Sequence, residues 1–83
     1  MKYCLITFRS VTPAQRAEQM LRQGGFICSL QRTPKWMEQQ GCGYSLRIRC
    51  DDGAAAAAML QKNRIPFRKI YRQEQERLEE LPL

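Results

Sequence analysis

The residues of this chain best suited to chemistry are its four cysteines, Cys4, Cys28, Cys42 and Cys50. A thiolate can act as a nucleophile, bind a metal or accept transferred sulfur, and its surroundings decide which. Cys42 stands apart because it lies between Gly41 and Gly43, at the head of "GCGYSLRIRC". The two glycines leave the backbone beside the sulfur uncrowded and free to turn. The chain contains no histidine, which removes imidazole acid–base chemistry and the commonest metal ligand. No Cys-x-x-Cys pair occurs, so a zinc or thioredoxin-type site has no local support, and neither a metal nor another cofactor is expected. Disulfides need an oxidising compartment. The opening "MKYCLITFRS" alternates like a strand and lacks a signal-peptide cleavage pattern. The expectation is a cytoplasmic protein with no membrane span.

The elements that must position these thiols follow from periodicity. At 83 residues the chain suggests one domain with a modest core. Residues 2–8 read as a strand. The stretch "SVTPAQRAEQMLRQGG" reads as a helix, with Thr12 as N-cap, Pro13 at the first helical position, and Gln15 completing a capping box. Ala14, Ala17, Met20 and Leu21 make its apolar stripe, and Gly24 and Gly25 its stop. Residues 26–32 read as a second strand with Phe26, Cys28 and Leu30 on one face. Residues 44–50 alternate: Tyr44, Leu46, Ile48 and Cys50 point one way, and Ser45, Arg47 and Arg49 the other. "DDGAAAAAMLQKNR" reads as a second helix capped by Asp51 or Asp52, its alanines allowing close approach to a sheet. Residues 67–72 read as a fourth strand, and 74–83 as a charged tail or short helix outside a domain of residues 1–73.

The order β-α-β-β-α-β predicts an α+β, ferredoxin-like sandwich. It has a four-stranded antiparallel sheet in the order 4-1-3-2 with both helices on one face. That topology brings the start of the third strand to the edge where the first strand ends and the first helix begins. Cys42 is thereby placed near Arg9, the hydroxyls of Ser10 and Thr12, and the unpaired N–H groups of a helix N-terminus. A cation and a helix N-terminus both lower a thiol pKa. Cys4, Cys28 and Cys50 fall on apolar strand faces and read as inert core residues.

Three passages resemble a family of small proteins described as putative selenium/sulfur carrier protein-like. They are "YCLITFRSVTPAQRAEQMLRQGGF", "RTPKWMEQQGCGYSLRI" and "IPFRKIYR". The second carries the most specific part, Thr-Pro followed by a loop and then Cys-Gly before a strand. The resemblance implies that Cys42 is a carrier thiol, that the protein is not an enzyme, and that its partners are selenium or sulfur donor and acceptor proteins. "KWMEQQG" departs from the Ser-rich residues usual in the family before the cysteine. Two readings of Cys42 therefore stand, an exposed anionic thiol or one capped by Trp36, which could equally meet a partner.

The net charge of +6, from 14 Lys and Arg against 8 Asp and Glu, suits an acidic partner. With Arg47 and Arg49 on the face away from the helices, a small RNA- or partner-binding module is the alternative. Against RNA, only Tyr3 offers a ring for base stacking on the first strand. Tyr3, Leu5 and Ile70 on that open face would form an apolar patch for a homodimer.

Overall fold

β-branched and aromatic residues dominate the opening residues and no helical stripe competes, so the chain starts extended. The computed structural model describes residues 3–33, 43–74 and 77–80, and its first strand, β1, spans Tyr3–Phe8. There follow α1 (Val11–Gln23), β2 (Cys28–Arg32), β3 (Tyr44–Arg49), α2 (Cys50–Lys62), β4 (Ile70–Glu74) and β5 (Arg77–Glu80). Neighbouring strands pair antiparallel in the order β2-β3-β1-β4-β5. The expected order 4-1-3-2 is the same sheet read from its other edge, so the fold is α+β, with one strand more than expected. Cys42, Gly41 and Trp36 lie outside the described residues.

Within the stretch 74–83, expected to be a charged tail or short helix, residues Arg77–Glu80 form a fifth strand. The residues 77–80, "RLEE", pair with β4 from Tyr71↔Glu80 to Glu74↔Arg77. Without them β4 would present a row of unpaired backbone groups at the sheet edge. Charged residues are what edge strands carry to discourage further pairing, so the charge that argued for a tail fits an edge strand equally well.

Each helix lays a stripe of small residues on the same sheet face. Ala14, Ala17 and Leu21 of α1 and Gly53, Ala56, Ala57 and Leu60 of α2 are buried. They pack on Cys4, Ile6, Phe8, Cys28, Leu46, Ile48 and Ile70. The register Ile6↔Ile70 puts Ile70 on this helix side, so it cannot join an apolar patch on the other face. Leu5, which does point to that other face, is 0% exposed. The patch expected from Tyr3, Leu5 and Ile70 is therefore not present.

Both helices start earlier than their cap signals suggested. The N-cap of α1 is Ser10, extended at φ −141° and ψ 168°, not Thr12. Pro13 is then the third helical residue, still within the first turn, where a missing N–H costs nothing. For α2 the N-cap is Arg49, and Asp51 and Asp52 sit inside the first turn. There they oppose the helix dipole as carboxylates rather than as caps. Cys50, expected to end the strand, is the first residue of α2. The helix ends share one geometry. Phe26 N–H donates to Leu21 C=O and Gly25 N–H to Arg22 C=O; Ile65 and Arg64 do the same to Leu60 and Gln61. The left-handed residue of this motif is Gly25 in α1 (φ 91°) and Arg64 in α2 (φ 58°).

The outer edge of β2 is guarded by α1. The Leu30 N–H donates to the Glu18 carboxylate at 2.9 Å, and Arg22 donates to the Cys28 carbonyl at 3.1 Å. Glu18 and Arg22 face each other one helical turn apart, at 3.5 Å. These side chains satisfy the groups that a further strand would use.

Candidate functional site

At the end of the sheet where β1 becomes α1, Arg9 and Ser10 are both exposed. The Ser10 side chain makes no capping hydrogen bond, and the first turn of α1 holds no acidic residue. The first N–H groups of a helix have no partner within it, so here the positive end of the dipole is not neutralised by the helix's own side chains. Arg9 and Ser10 line a cleft of about 320 Å³ with Pro13, Pro66, Phe67 and Arg68. Thr12 is exposed on the first turn but does not line it.

A local irregularity brings Arg68 to this cleft. Arg68 N–H donates to the Thr7 carbonyl, while Thr7 N–H donates to the Lys69 carbonyl. Two residues therefore face one, as in a β-bulge. The Thr7 hydroxyl accepts the Lys69 N–H at 3.1 Å and donates to the Lys69 carbonyl at 3.2 Å. The bulge delays β4 to Ile70, three residues later than its expected start, and leaves Pro66, Phe67 and Arg68 facing Arg9. Sequence reasoning missed these three. Pro66 was a usable signal of irregular backbone, but the bulge depends on pairing with Thr7, sixty-two residues away.

Gly43 reaches the same end from the other side of β1. Its carbonyl accepts the Thr33 N–H at 3.0 Å, and the next residue, Tyr44, pairs with both Phe8 and Arg32. Arg32 also lies over the Tyr44 ring at 5.6 Å. Two buried hydroxyls flank this corner, Thr33 Oγ1 and Ser45 Oγ, and neither has a hydrogen-bond partner among the described residues.

Arg47 and Arg49 are exposed on the face away from the helices but lie toward the far end of β3. At about 3.3 Å per residue, Arg47 is roughly 13 Å and Arg49 roughly 20 Å from Gly43. The structure does not bring them to the corner that holds Arg9 and Ser10. The Arg47 guanidinium lies 4.1 Å from the Tyr3 ring centroid, a cation–π contact that occupies the ring RNA stacking would need. Arg49 faces Asp51 at 3.8 Å, both largely exposed.

The other cysteines are gathered at that far end. Cys4 and Cys28 both pair with Ile48, one from each side, and are 1% and 4% exposed. Burial pushes the Cys4 thiol from 9.0 up to about 12, with the neighbouring Cys50 side chain adding and Arg72 opposing. Burial likewise raises Cys28, against the influence of Arg22; its thiol donates to the Glu18 carbonyl at 3.9 Å. Cys50 is partly buried against the core. Among the described residues no group of three or more Cys, Asp or Glu could hold a metal ion, and no helix is long and apolar enough to cross a membrane.

The model of a family described as putative Se/S carrier protein-like matches residues 3–72, and the chain belongs to that family. No curated protein and no solved structure matches it.

Proposed function

We propose that this member of the Se/S carrier-like family holds sulfur or selenium on the Cys42 thiolate and passes it to a partner protein without catalysing a reaction of its own. One observation carries the reading. The sheet end next to Gly43 gathers exposed Arg9 and Ser10 at an uncompensated helix N-terminus, whereas Cys4 and Cys28 are sealed at the opposite end with raised pKa. Cys42 is the residue before Gly43 in the sequence, and Gly43 lies at the first end. Arg9 and the α1 N-terminus stabilise its anion; Ser10 and Thr12 add hydroxyl donors, and Gly41 and Gly43 leave it room.

The transfer balances without an oxidant. The Cys42 thiolate attacks the outer sulfur of a donor persulfide. A new S–S bond forms at Cys42, the donor's S–S bond breaks, and the donor leaves as a thiolate. An acceptor nucleophile reverses these roles. With selenium the adduct is the corresponding selenosulfide. β3, six residues long, separates Gly43 from Cys50 by about 23 Å. The described cysteines lie toward the far end of β3 from Gly43, which supports hand-off between molecules rather than resolution within one. Trp36, six residues before Cys42, serves the partner contact, whereas Arg47 and Arg49 reach only a partner broad enough to span β3.

The test is persulfide labelling after loading with inorganic polysulfide. The wild type labels at Cys42 and Cys42→Ser loses most of the label. Equal labelling of the variant contradicts the reading.

A further inference from the structure

Cys4 and Cys50 meet at the far end of the sheet, and the carrier reading uses neither. The register Cys4↔Ile48 makes Cys50 the diagonal neighbour of Cys4 on the helix side, and α2 turns back over the sheet from Cys50 onward. The Cys4 sulfur lies directly beneath this first turn: a Cβ built on Gly53 would come within 3.7 Å of it. Gly53 and Cys50 lie three residues apart on one face of that turn, and Cys50 is among the groups that hold the Cys4 thiol neutral. Cys4 is closed to solvent, while Cys50 is partly open. Cys28 does not compete, because it sits across β3 from Cys4, about 10 Å away at two strand spacings.

We propose that Cys4 and Cys50 form a redox couple, a disulfide-forming pair separate from Cys42 that ties the start of β1 to the start of α2 when the protein meets a peroxide. In the first step the Cys50 sulfur attacks the O–O bond. The products are a Cys50 sulfenic acid and one water. In the second, the Cys4 sulfur attacks the Cys50 sulfur, the S–S bond forms, and the hydroxyl leaves with the Cys4 proton as a second water. The two thiols lose two electrons and the peroxide gains them. The raised Cys4 pKa slows the second step, and the placing of both cysteines under one helical turn compensates by making it local. A thiol reductant restores the pair.

The two cysteines fall in separate tryptic peptides, residues 3–9 and 50–62, so a map under non-reducing conditions reads the link directly. Full-length protein is treated with hydrogen peroxide while folded, the remaining thiols are blocked, and the digest is analysed by mass. The expected result is a 3–9/50–62 cross-link with the loss of two hydrogens, reversed by dithiothreitol. The link persists in Cys42→Ser and Cys28→Ser and is absent in Cys50→Ser. A Cys50 that proceeds to sulfinic acid while Cys4 stays free would overturn the proposal. So would oxidation that yields only Cys42-linked dimers. The map of the wild type needs no variant at Cys4, whose replacement could unfold the core.

Discussion

At one end of the sheet, α1 begins beside exposed Arg9 with no acidic residue in its first turn. At the other, α2 begins with Asp51 and Asp52 in its first turn and Cys50 at its head. The first helix leaves its positive pole to whatever anion approaches, and the second neutralises its own. The sulfur is divided in the same way. Cys4 and Cys28 are closed beneath α2 and α1 at the neutralised end, while Gly43, the neighbour of Cys42 in the sequence, lies at the unneutralised end. The lesson is that cysteine count says little about chemistry in a small protein. Burial and the nearest fixed charge decide which thiol can become an anion.

The comparison breaks most severely if the sealed end is opened. Ile48 sits between Cys4 and Cys28 and is 1% exposed. Ile48→Ala should cost about 2–5 kcal/mol of stability by denaturant unfolding and bring alkylation of both cysteines up toward that of an exposed thiol. A loss under about 1 kcal/mol would mean the site collapses easily and the seal is weak.

Next in size is the pH dependence of the sealed thiols. In the fold Cys4 stays neutral up to about 12, while in the unfolded chain it ionises from about 9.0. Its contribution to stability is therefore complete below pH 9.0 and is lost as the pH climbs toward 12. Wild type should lose more stability than Cys4→Val between those limits, measured as the difference between their urea midpoints. Parallel curves would show that Cys4 is not held neutral by the fold.

Smaller effects sharpen the contrast. A Cβ on Gly53 would meet Cys4 only at ordinary contact distances, 3.7 and 3.9 Å. Gly53→Ala should therefore gain about 0.5–1 kcal/mol from helix propensity without disturbing the seal. Destabilisation would mean α2 lies tighter on β1 than these distances show. At the other end, Arg9→Ala removes an exposed side chain, so stability should move by no more than about 0.5 kcal/mol, yet Cys42 should react several-fold more slowly at neutral pH. An unchanged rate would remove Arg9 from the site.

Much of the fold was legible because periodicity and handedness are local rules. The alternation in residues 44–49, the stripe at Ala14, Ala17 and Leu21, and right-handed crossovers together gave the order of four strands and the burial of Cys4 and Cys28. What escaped depends on contacts between distant residues. β5 was hidden because edge strands and solvated tails share charged compositions. The caps of both helices slipped because Thr12, Asp51 and Asp52 are as favourable in a first turn as at its start. The cleft partners Pro66, Phe67 and Arg68 appear only when Thr7 pairs with a bulged strand. The meeting of Cys4 with Cys50 needed the register against Ile48, and a single-residue slip would have turned Cys4 to the other face. For the candidate site, Arg9 and Ser10 were legible because they follow β1 directly. Arg47 and Arg49 were placed on the open face by alternation alone, and they are exposed there.

The central claim is that Cys42 is the most reactive of four chemically identical side chains. It is tested by timing alkylation of each cysteine in the folded protein at neutral pH, with peptide mapping at each time point. The account predicts Cys42 fastest, partly exposed Cys50 slower, and Cys4 and Cys28 slowest, reacting only as the protein opens. A Cys42 that reacts no faster than Cys4 and Cys28 would contradict it.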